Sequence, residues 1–184
     1  MGTLQEHNKK RTFALELAMV AIEGAFGETL PVSEIRLERL SPDLWSVVHP
    51  AWRLHHDRLH LNIDFNWLRQ RNKRRDKLDV SIWCGDKLCG LFLAKLSRKR
   101  VNVALRYLES SPFNHPLQDN MISLGLIIAE SFARSYGAHT VMVSQPAKGL
   151  VWRYREAGYE LTDVDLSREK RGHKYRAKVL IKRM

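Results

Sequence analysis

Cysteines and long apolar runs are scarce in this sequence of 184 residues. Its two cysteines, Cys84 and Cys89, are too few for a disulfide framework or a four-cysteine zinc site, so we expect reduced thiols. The longest apolar stretch, residues 121–133, is broken by polar residues and falls short of the roughly 20 residues that cross a bilayer. We therefore expect no membrane-spanning helix and no membrane partner.

The first residues also lack the features of a targeting signal. Residues 1–13 contain no apolar core of the kind that a secretory signal needs. Glu6 stands where a myristoylation signal places serine or threonine. On this basis we expect a cytoplasmic protein.

Acidic residues are too few to balance the basic ones. Lys and Arg number 31 against 20 Asp and Glu, a formal net charge of +11. Such an excess attracts nucleic acid or acidic proteins, although basic runs are often only solubilising surfaces. Helix-turn-helix, RNP and zinc-finger spacings are missing from the sequence. The candidate polyanion-binding residues are Arg69, Arg71, Lys73, Arg74, Arg75, Arg98, Lys99 and Arg100, and a further basic cluster comprises Arg168, Lys170, Arg171, Lys174 and Arg176.

The chain length predicts one domain with an N-terminal extension. We place the extension at residues 1–30 and the domain at residues 31–184. Residues 4–27 form a predicted helix, because apolar residues recur at helical spacing and Gly27 is a typical stop. Its apolar stripe either covers the sheet of the domain or forms a homodimer contact.

The remaining pattern predicts an α/β fold with a mixed, mostly antiparallel sheet flanked by helices. Gly85-Asp86 lies between two alternating segments and indicates a hairpin. A third strand follows, so we expect three consecutive antiparallel strands. The predicted strands are residues 35–40, 78–83, 88–96, 101–108, 139–143 and 174–182, and the predicted helical segments are residues 44–75 (beginning near Pro42 and interrupted by loops), 117–136 and 148–157.

Two segments resemble the GNAT family of N-acetyltransferases, and with the element order the resemblance covers residues 33–184. The segment from Ile35 to Asp43 is similar to the family's first strand and helix. Tyr154-Arg-Glu-Ala-Gly-Tyr159 resembles its Tyr-x-x-x-Gly-aromatic signature. The resemblance implies acetyl-CoA as cofactor and acyl transfer to an amine by direct attack in a ternary complex.

The resemblance also implies candidate site residues. Tyr154 matches the family's tyrosine that protonates the leaving thiolate. Glu109, at the end of the fourth strand, is a candidate general base, because a carboxylate there would face the cofactor cleft. The family binds acyl-CoA between its fourth and fifth strands, which assigns Tyr107, Leu108 and Ser144 to cofactor binding.

The segment that would bind pyrophosphate differs from the family pattern. The family uses a glycine-rich loop before a helix, but residues 110–118 contain no glycine and two prolines. Arg106, Asn114 and His115 are the alternative candidates for holding a phosphate. The divergent loop keeps a second hypothesis open, in which a non-catalytic GNAT-like scaffold binds nucleic acid or a protein partner through its basic surface.

One histidine-rich segment invites a metal hypothesis. His56 and His60 are four residues apart, which places them on one helical face beside His55 and Asp57. No further ligand accompanies them at supporting spacing, so we expect a solvated helix face and no metal site.

Overall fold

Helices and strands alternate along the part of the chain that the structure, a computed structural model, describes. The described residues are 3–58, 67, 77–172 and 177–184. The helices are α1 (Leu4–Phe26), α2 (Leu44–Val48), α3 (Ala51–Leu54), α4 (Met121–Tyr136), α5 (Val151–Glu156) and α6 (Asp163–Lys170). The strands are β1 (Ile35–Glu38), β2 (Lys77–Cys84), β3 (Lys87–Leu96), β4 (Asn102–Ser110), β5 (Thr140–Ser144), β6 (Glu160–Leu161) and β7 (Val179–Arg183).

The seven strands form one sheet in the order β1-β2-β3-β4-β5-β7-β6. Neighbouring strands are antiparallel except for β4 and β5, which are parallel. Gly85 turns the chain between β2 and β3 with φ of 54°, a left-handed conformation that glycine adopts without strain. The predicted mixed α/β sheet and its three-strand meander are therefore confirmed.

Helices α1 and α4 cover one face of the sheet. Ala14, Ala18 and Ile22 of α1 are fully buried and share one hydrophobic core with the sheet and α4. Alanines let the two helices approach closely, because they have no side chain beyond Cβ. Thr3 and Glu6 form a capping box that begins α1. Of the two roles predicted for this helix, the structure supports covering the sheet.

A smaller core lies on the opposite face. There the inward side chains of β3, among them Leu91 and Leu93, pack against α2 and α3. Trp52 of α3 and Trp67 are almost completely buried in this layer. The short helices are thus fixed by apolar burial, since neither is long enough to be stable alone.

Several predicted boundaries were wrong. Helix α2 begins at Leu44, two residues after the expected start near Pro42. The helix predicted from residue 117 begins at Met121. Before it, Gln118–Asn120 form a 3₁₀ turn, in which the Gln118 amide donates to the His115 carbonyl and the Asn120 amide to the Leu117 carbonyl. The Leu117 amide donates to the His115 side chain, so it does not begin the α-helix.

Two elements near the C-terminus were not predicted. Strand β6 has only two residues, too few for a visible alternation. Helix α6 begins at Asp163 and is capped by Thr162, whose hydroxyl accepts a hydrogen bond from the Asp165 amide, a capping signal that the sequence contains. The last predicted strand, residues 174–182, corresponds to β7, which begins at Val179. Ala177 and Lys178 are described but lie before the strand, and residues 173–176 lie outside the described residues.

A helix that crosses a membrane must be both long and apolar. Within the described part of the chain, none of the helices combines the necessary length with sufficient apolar character.

Candidate active site

Strands β4 and β5 separate partway along their length and leave a cleft. Their parallel pairing runs from Asn102 opposite Thr140 to Leu105 opposite Val143. Beyond this point β4 continues to Ser110, and among the described strands none pairs with it on that side. The chain after β5 turns toward β7 instead. The resulting cleft has a volume of about 330 Å³.

A β-bulge shapes the β4 side of the cleft. Leu93 pairs with Tyr107 while the next residue, Ala94, pairs with Leu105, so Arg106 is an extra residue in β4. The bulge turns Arg106 and Tyr107 outward, and Tyr107 is 42% exposed. It therefore places a cation and a phenol ring at the opening between the strands.

Most of the predicted cofactor-binding residues meet at this cleft. Arg106, Tyr107, Leu108 and Ser144 line it together with Tyr154. Leu105 and Val143 also line it, and both lie in the segments 101–108 and 139–143 that the resemblance places at the cleft. Sequence reasoning did not assign a further four lining residues to cofactor binding: Gln145, Pro146, Ala147 and Leu150. These four follow β5, in the segment that leads to α5, where no alternating or helical pattern gives a sign of a cleft.

Tyr154 projects from α5 into the cleft. The side chain is 6% exposed, and burial raises the pKa of its phenol, so the hydroxyl carries its proton at neutral pH. Gly158, with φ of 84°, ends the helix, and the Tyr159 amide then donates to the Tyr154 carbonyl. Tyr159 itself donates to Glu130 at 3.2 Å and packs in the core.

Glu109 lies in an ion-pair cluster at the C-terminal end of β4. Arg58 donates to its Oε1 at 2.7 Å, and Arg53 donates to both of its carboxylate oxygens. The indole N–H of Trp67 also donates to Oε2. The side chains of Arg53, Arg58 and Glu109 are only 10–12% exposed. The candidate base is thus already engaged by cations that sequence reasoning did not connect with it.

His115 and Asn114, the two candidate phosphate ligands in the loop before α4, differ in burial. His115 is buried at 5% exposure, and its Nδ1 accepts a hydrogen bond from the Leu117 amide. Its Nε2 therefore carries the proton and donates to Ser110 Oγ at 3.0 Å. Burial, followed by the nearby charge of Lys87, lowers its pKa. Asn114 is exposed, and both residues lie outside the lining of the cleft.

The predicted basic surface is only partly described. Arg98, Lys99 and Arg100 form the turn before β4, at the end of that strand remote from Glu109. Arg100 Nη2 lies 3.5 Å from Nε2 of the buried His7. Outside the described residues lie Arg69, Arg71, Lys73, Arg74, Arg75, Lys174 and Arg176.

The histidine-rich segment forms a compact cluster. Ligand-type atoms of His55, His56 and Asp57 lie within 4.8 Å of one another, and His56 Nε2 is 3.0 Å from Asp57 Oδ1. His60 lies outside the described residues, so the predicted pairing of His56 with it is not described. Arg58, the next residue along the chain, directs its guanidinium to Glu109 and to the Ser110 carbonyl. We assign no metal to the cluster.

Both cysteines are free and buried. Burial raises the pKa of the Cys84 thiol, and that of Cys89 to about 11. The reactive form of cysteine is the thiolate, so neither residue is a candidate nucleophile.

Strands β4 and β5 form a parallel pair within an otherwise antiparallel sheet, and Tyr154 lines the cleft between them. This arrangement defines a GNAT-type N-acetyltransferase-like fold. Comparison with solved structures supports the same class. Against an acetyltransferase from Thermus thermophilus the TM-score is 0.55 at 13% identity, covering 82% of this chain and 97% of that one. An acetyltransferase from Streptococcus agalactiae gives 0.54 at 12% identity, covering 82% and 99%.

A third similar structure contains ligands. N-acetylglutamate synthase from Neisseria gonorrhoeae, complexed with coenzyme A and N-acetyl-glutamate, gives a TM-score of 0.53 at 13% identity. The match covers 81% of this chain and 35% of the synthase. No family model and no curated protein sequence matches this chain. At these identities the likeness shows the fold alone.

Proposed function

We propose that this protein is an acyl-CoA-dependent N-acyltransferase that transfers an acetyl group to an amine by direct attack in a ternary complex. The cleft between β4 and β5, with Tyr154 at its lining, is the observation that carries the proposal. The fold of the similar acetyltransferases supports it.

The cleft suits the extended, amide-containing arm of coenzyme A. The pairing of β4 with β5 ends at Leu105, and no other described strand covers this edge of β4 beyond that residue. Such an edge pairs with an added extended chain. Leu105, Val143 and Leu150 supply an apolar lining for the methylene and dimethyl groups of the arm.

Residues 110–118 contain no glycine, so other residues must bind the phosphate groups of coenzyme A. His115 is committed to Leu117 and Ser110, so it does not serve as a phosphate ligand in this arrangement. Arg106 is exposed on the bulge beside the cleft, and Asn114 is exposed in the loop. We assign phosphate binding chiefly to Arg106, with Asn114 as a secondary contact.

Tyr154 is assigned as the general acid. Bound acyl-CoA supplies a thioester, whose carbonyl carbon joins the amine nitrogen while the carbon–sulfur bond breaks. The leaving sulfur requires a proton, and Tyr154 holds one because burial raises its pKa. Tyr154 is mostly buried, at 6% exposure, so few water molecules reach its side chain.

Glu109 was expected to face the cleft but is not among the residues that line it. We assign it to the acceptor side of the site, beside the end of β4. As the base it would take a proton from the amine, which requires Arg53 or Arg58 to release one of its oxygens. With both arginines in place, Glu109 instead fixes α3 against the end of β4. The two guanidinium groups outnumber the carboxylate, which favours an amine acceptor that carries negative charge.

Calorimetric titration with coenzyme A and acetyl-CoA tests the proposal directly. Ala147 lines the cleft, and a tryptophan there fills it, so Ala147→Trp should abolish binding. Val164→Trp is the matched control, because Val164 is 62% exposed on α6 and outside the cleft lining. Absence of binding by the unmodified protein at millimolar ligand would refute the assignment.

An alternative function remains for the basic surface. The net charge of +11 and the loop without glycine favour a GNAT-like scaffold that binds nucleic acid or an acidic protein. Both activities coexist if the polyanion is the acyl acceptor. A titration that detects RNA binding but no coenzyme A would select the scaffold.

A further inference from the structure

Leu108 lies between helix α4 and the open cleft. Leu108 is one of the residues that line the cleft, and its half-buried side chain packs on the core beneath α4. A Cβ atom placed on Gly125 of α4 would lie 2.8 Å from Leu108 Cδ2 and 3.0 Å from Cδ1. Carbon atoms in contact prefer about 3.5–4.0 Å. Leu108 therefore occupies the space that a methyl group at position 125 would need.

The bulge in β4 gives Leu108 this direction. In a regular strand, residues 105 and 108 would face opposite sides of the sheet, because side chains alternate. The extra residue Arg106 brings both onto the α4 side, where Leu105 is 3% exposed and Leu108 contacts Gly125. Leu108 thus forms a wall of the cleft that is supported from behind by a glycine.

This wall is more easily displaced than its neighbours. Leu105 and Val143 are 3% exposed and Tyr154 is 6% exposed, so these lining residues are packed on nearly all sides. Leu108 is packed on the α4 side and open on the cleft side. A larger residue at position 125 would push it into the cleft, and a smaller residue at 108 would deepen the cleft.

We infer that Leu108, in the position that Gly125 allows, limits the length of the acyl group and makes the protein selective for short-chain acyl thioesters. The inference rests on the proposed function, because an acyl chain enters only if the cleft binds acyl-CoA. Gly125→Ala and Leu108→Ala alter one wall in opposite directions, so they should change the acyl preference in opposite directions.

The test measures affinities of the full chain for coenzyme A and its acetyl, propionyl, butyryl and hexanoyl thioesters by calorimetry. The ratio of each affinity to that of free coenzyme A isolates the acyl group. Each methylene that finds an apolar site contributes roughly fourfold. Leu108→Ala should raise the butyryl ratio about tenfold, and Gly125→Ala should lower the propionyl and butyryl ratios about tenfold.

Two controls separate this effect from general changes in the helix or the fold. Gly24→Ala in α1 also replaces a helical glycine, but its Cβ would meet nothing within 4 Å, so its ratios should equal those of the unmodified protein. The double variant Gly125→Ala/Leu108→Ala should recover the propionyl ratio, because the shortened side chain no longer needs to move. Circular dichroism verifies that each variant is folded.

The outcomes distinguish failure of the inference from failure of the proposed function. Unchanged acyl ratios in both folded variants, with coenzyme A still bound, would overturn the role of Leu108 alone. Equal weakening of coenzyme A and all thioesters would also overturn it, since Leu108 would then contact the coenzyme arm. If the unmodified protein binds neither coenzyme A nor any of its thioesters, the proposed function is refuted, and the inference with it.

Discussion

Tyr154 and His115 are both buried polar residues, yet their surroundings suit them to different work. Tyr154 borders an open cleft, whereas both ring nitrogens of His115 are engaged by the loop that precedes α4. Burial favours the neutral form of each group. For Tyr154 that neutral form is a proton donor, and for His115 it is a structural hydrogen-bond partner.

The first prediction concerns proton donation by Tyr154. Tyr154→Phe removes only the hydroxyl, so kcat should fall about 100-fold while the Kd for acetyl-CoA changes less than about twofold. Steady-state kinetics with an amine acceptor and calorimetry provide the two values. The unmodified protein should lose activity to ionisation of this phenol only above pH 10, because its pKa is raised. An unchanged kcat would remove Tyr154 from the mechanism.

The second prediction concerns His115 and acid pH. Its folded-state pKa is lowered from 6.5, so below that pH the unfolded chain binds a proton more readily than the folded one. The unfolding free energy should therefore fall as pH drops below about 6.5, with a slope of at most about 1.4 kcal/mol per pH unit from this group. Urea denaturation between pH 7.5 and 5 measures this slope.

His115→Asn is the matched variant. The oxygen of the asparagine side chain can accept from the Leu117 amide in place of His115 Nδ1, and asparagine does not titrate. Its stability should depend less on pH than that of the unmodified protein over the same range. Identical slopes for the two proteins would contradict the assignment.

At the scale of elements, short pieces of structure are stabilised by what they contact. Helix α3 has four residues and is attached to β4 through the bonds of Arg53 to Glu109. Helix α1 is long and well capped, but its place is set by Ala14, Ala18 and Ile22 in the common core. Helix α3 is thus held by ion pairs in addition to the burial of Trp52, whereas α1 is placed by apolar burial.

The third prediction addresses the attachment of α3. Glu109→Ala leaves two mostly buried guanidinium groups without this carboxylate, which should lower the unfolding free energy by about 3–5 kcal/mol. Glu169→Ala breaks an exposed pair with Arg155 and should cost less than about 1 kcal/mol. Chemical denaturation compares the two. Similar losses would show that the buried cluster is not what holds α3.

The fourth prediction addresses the burial of α1. Ile22→Ala empties a fully buried site and should cost about 2–5 kcal/mol in unfolding free energy. Val20 lies on the same helix but is 69% exposed, so Val20→Ala should change the unfolding free energy by less than about 0.5 kcal/mol. If thermal unfolding shows equal effects, α1 does not pack on the core as described.

At the scale of the whole molecule, charge is the dominant property. The excess of +11 creates a long-range field that concentrates anions of every kind near the surface. Coenzyme A and an anionic acceptor would both be attracted by it. The field accounts for attraction but not for selectivity, which the cleft must supply.

The fifth prediction follows from this field. Binding of a short RNA, measured by fluorescence anisotropy, should weaken steeply between about 50 and 200 mM salt, because phosphate contacts release counterions. Replacing Arg98 and Lys99 with alanine should reduce the slope of log affinity against log salt by about one to two. Binding that does not respond to salt, or no binding, would exclude the polyanion function.

The sequence by itself determined the elements whose signals are local. Alternation over residues 78–108 and the turn at Gly85 specify the meander, because neighbouring residues along one strand face opposite sides. The apolar period of α4 and the segment from Tyr154 to Tyr159 likewise depend on nearby residues. These features predicted the fold and the position of Tyr154, which we propose as the general acid.

Only the tertiary structure decided which distant residues meet. Arg53 and Arg58 reach Glu109 across 56 and 51 positions of the chain, and no periodic pattern connects such positions. The contact between Leu108 and Gly125 depends on the bulge at Arg106, which the sequence does not reveal. Packing between separate elements is a property of the assembled core, and therefore the details of the site follow from it.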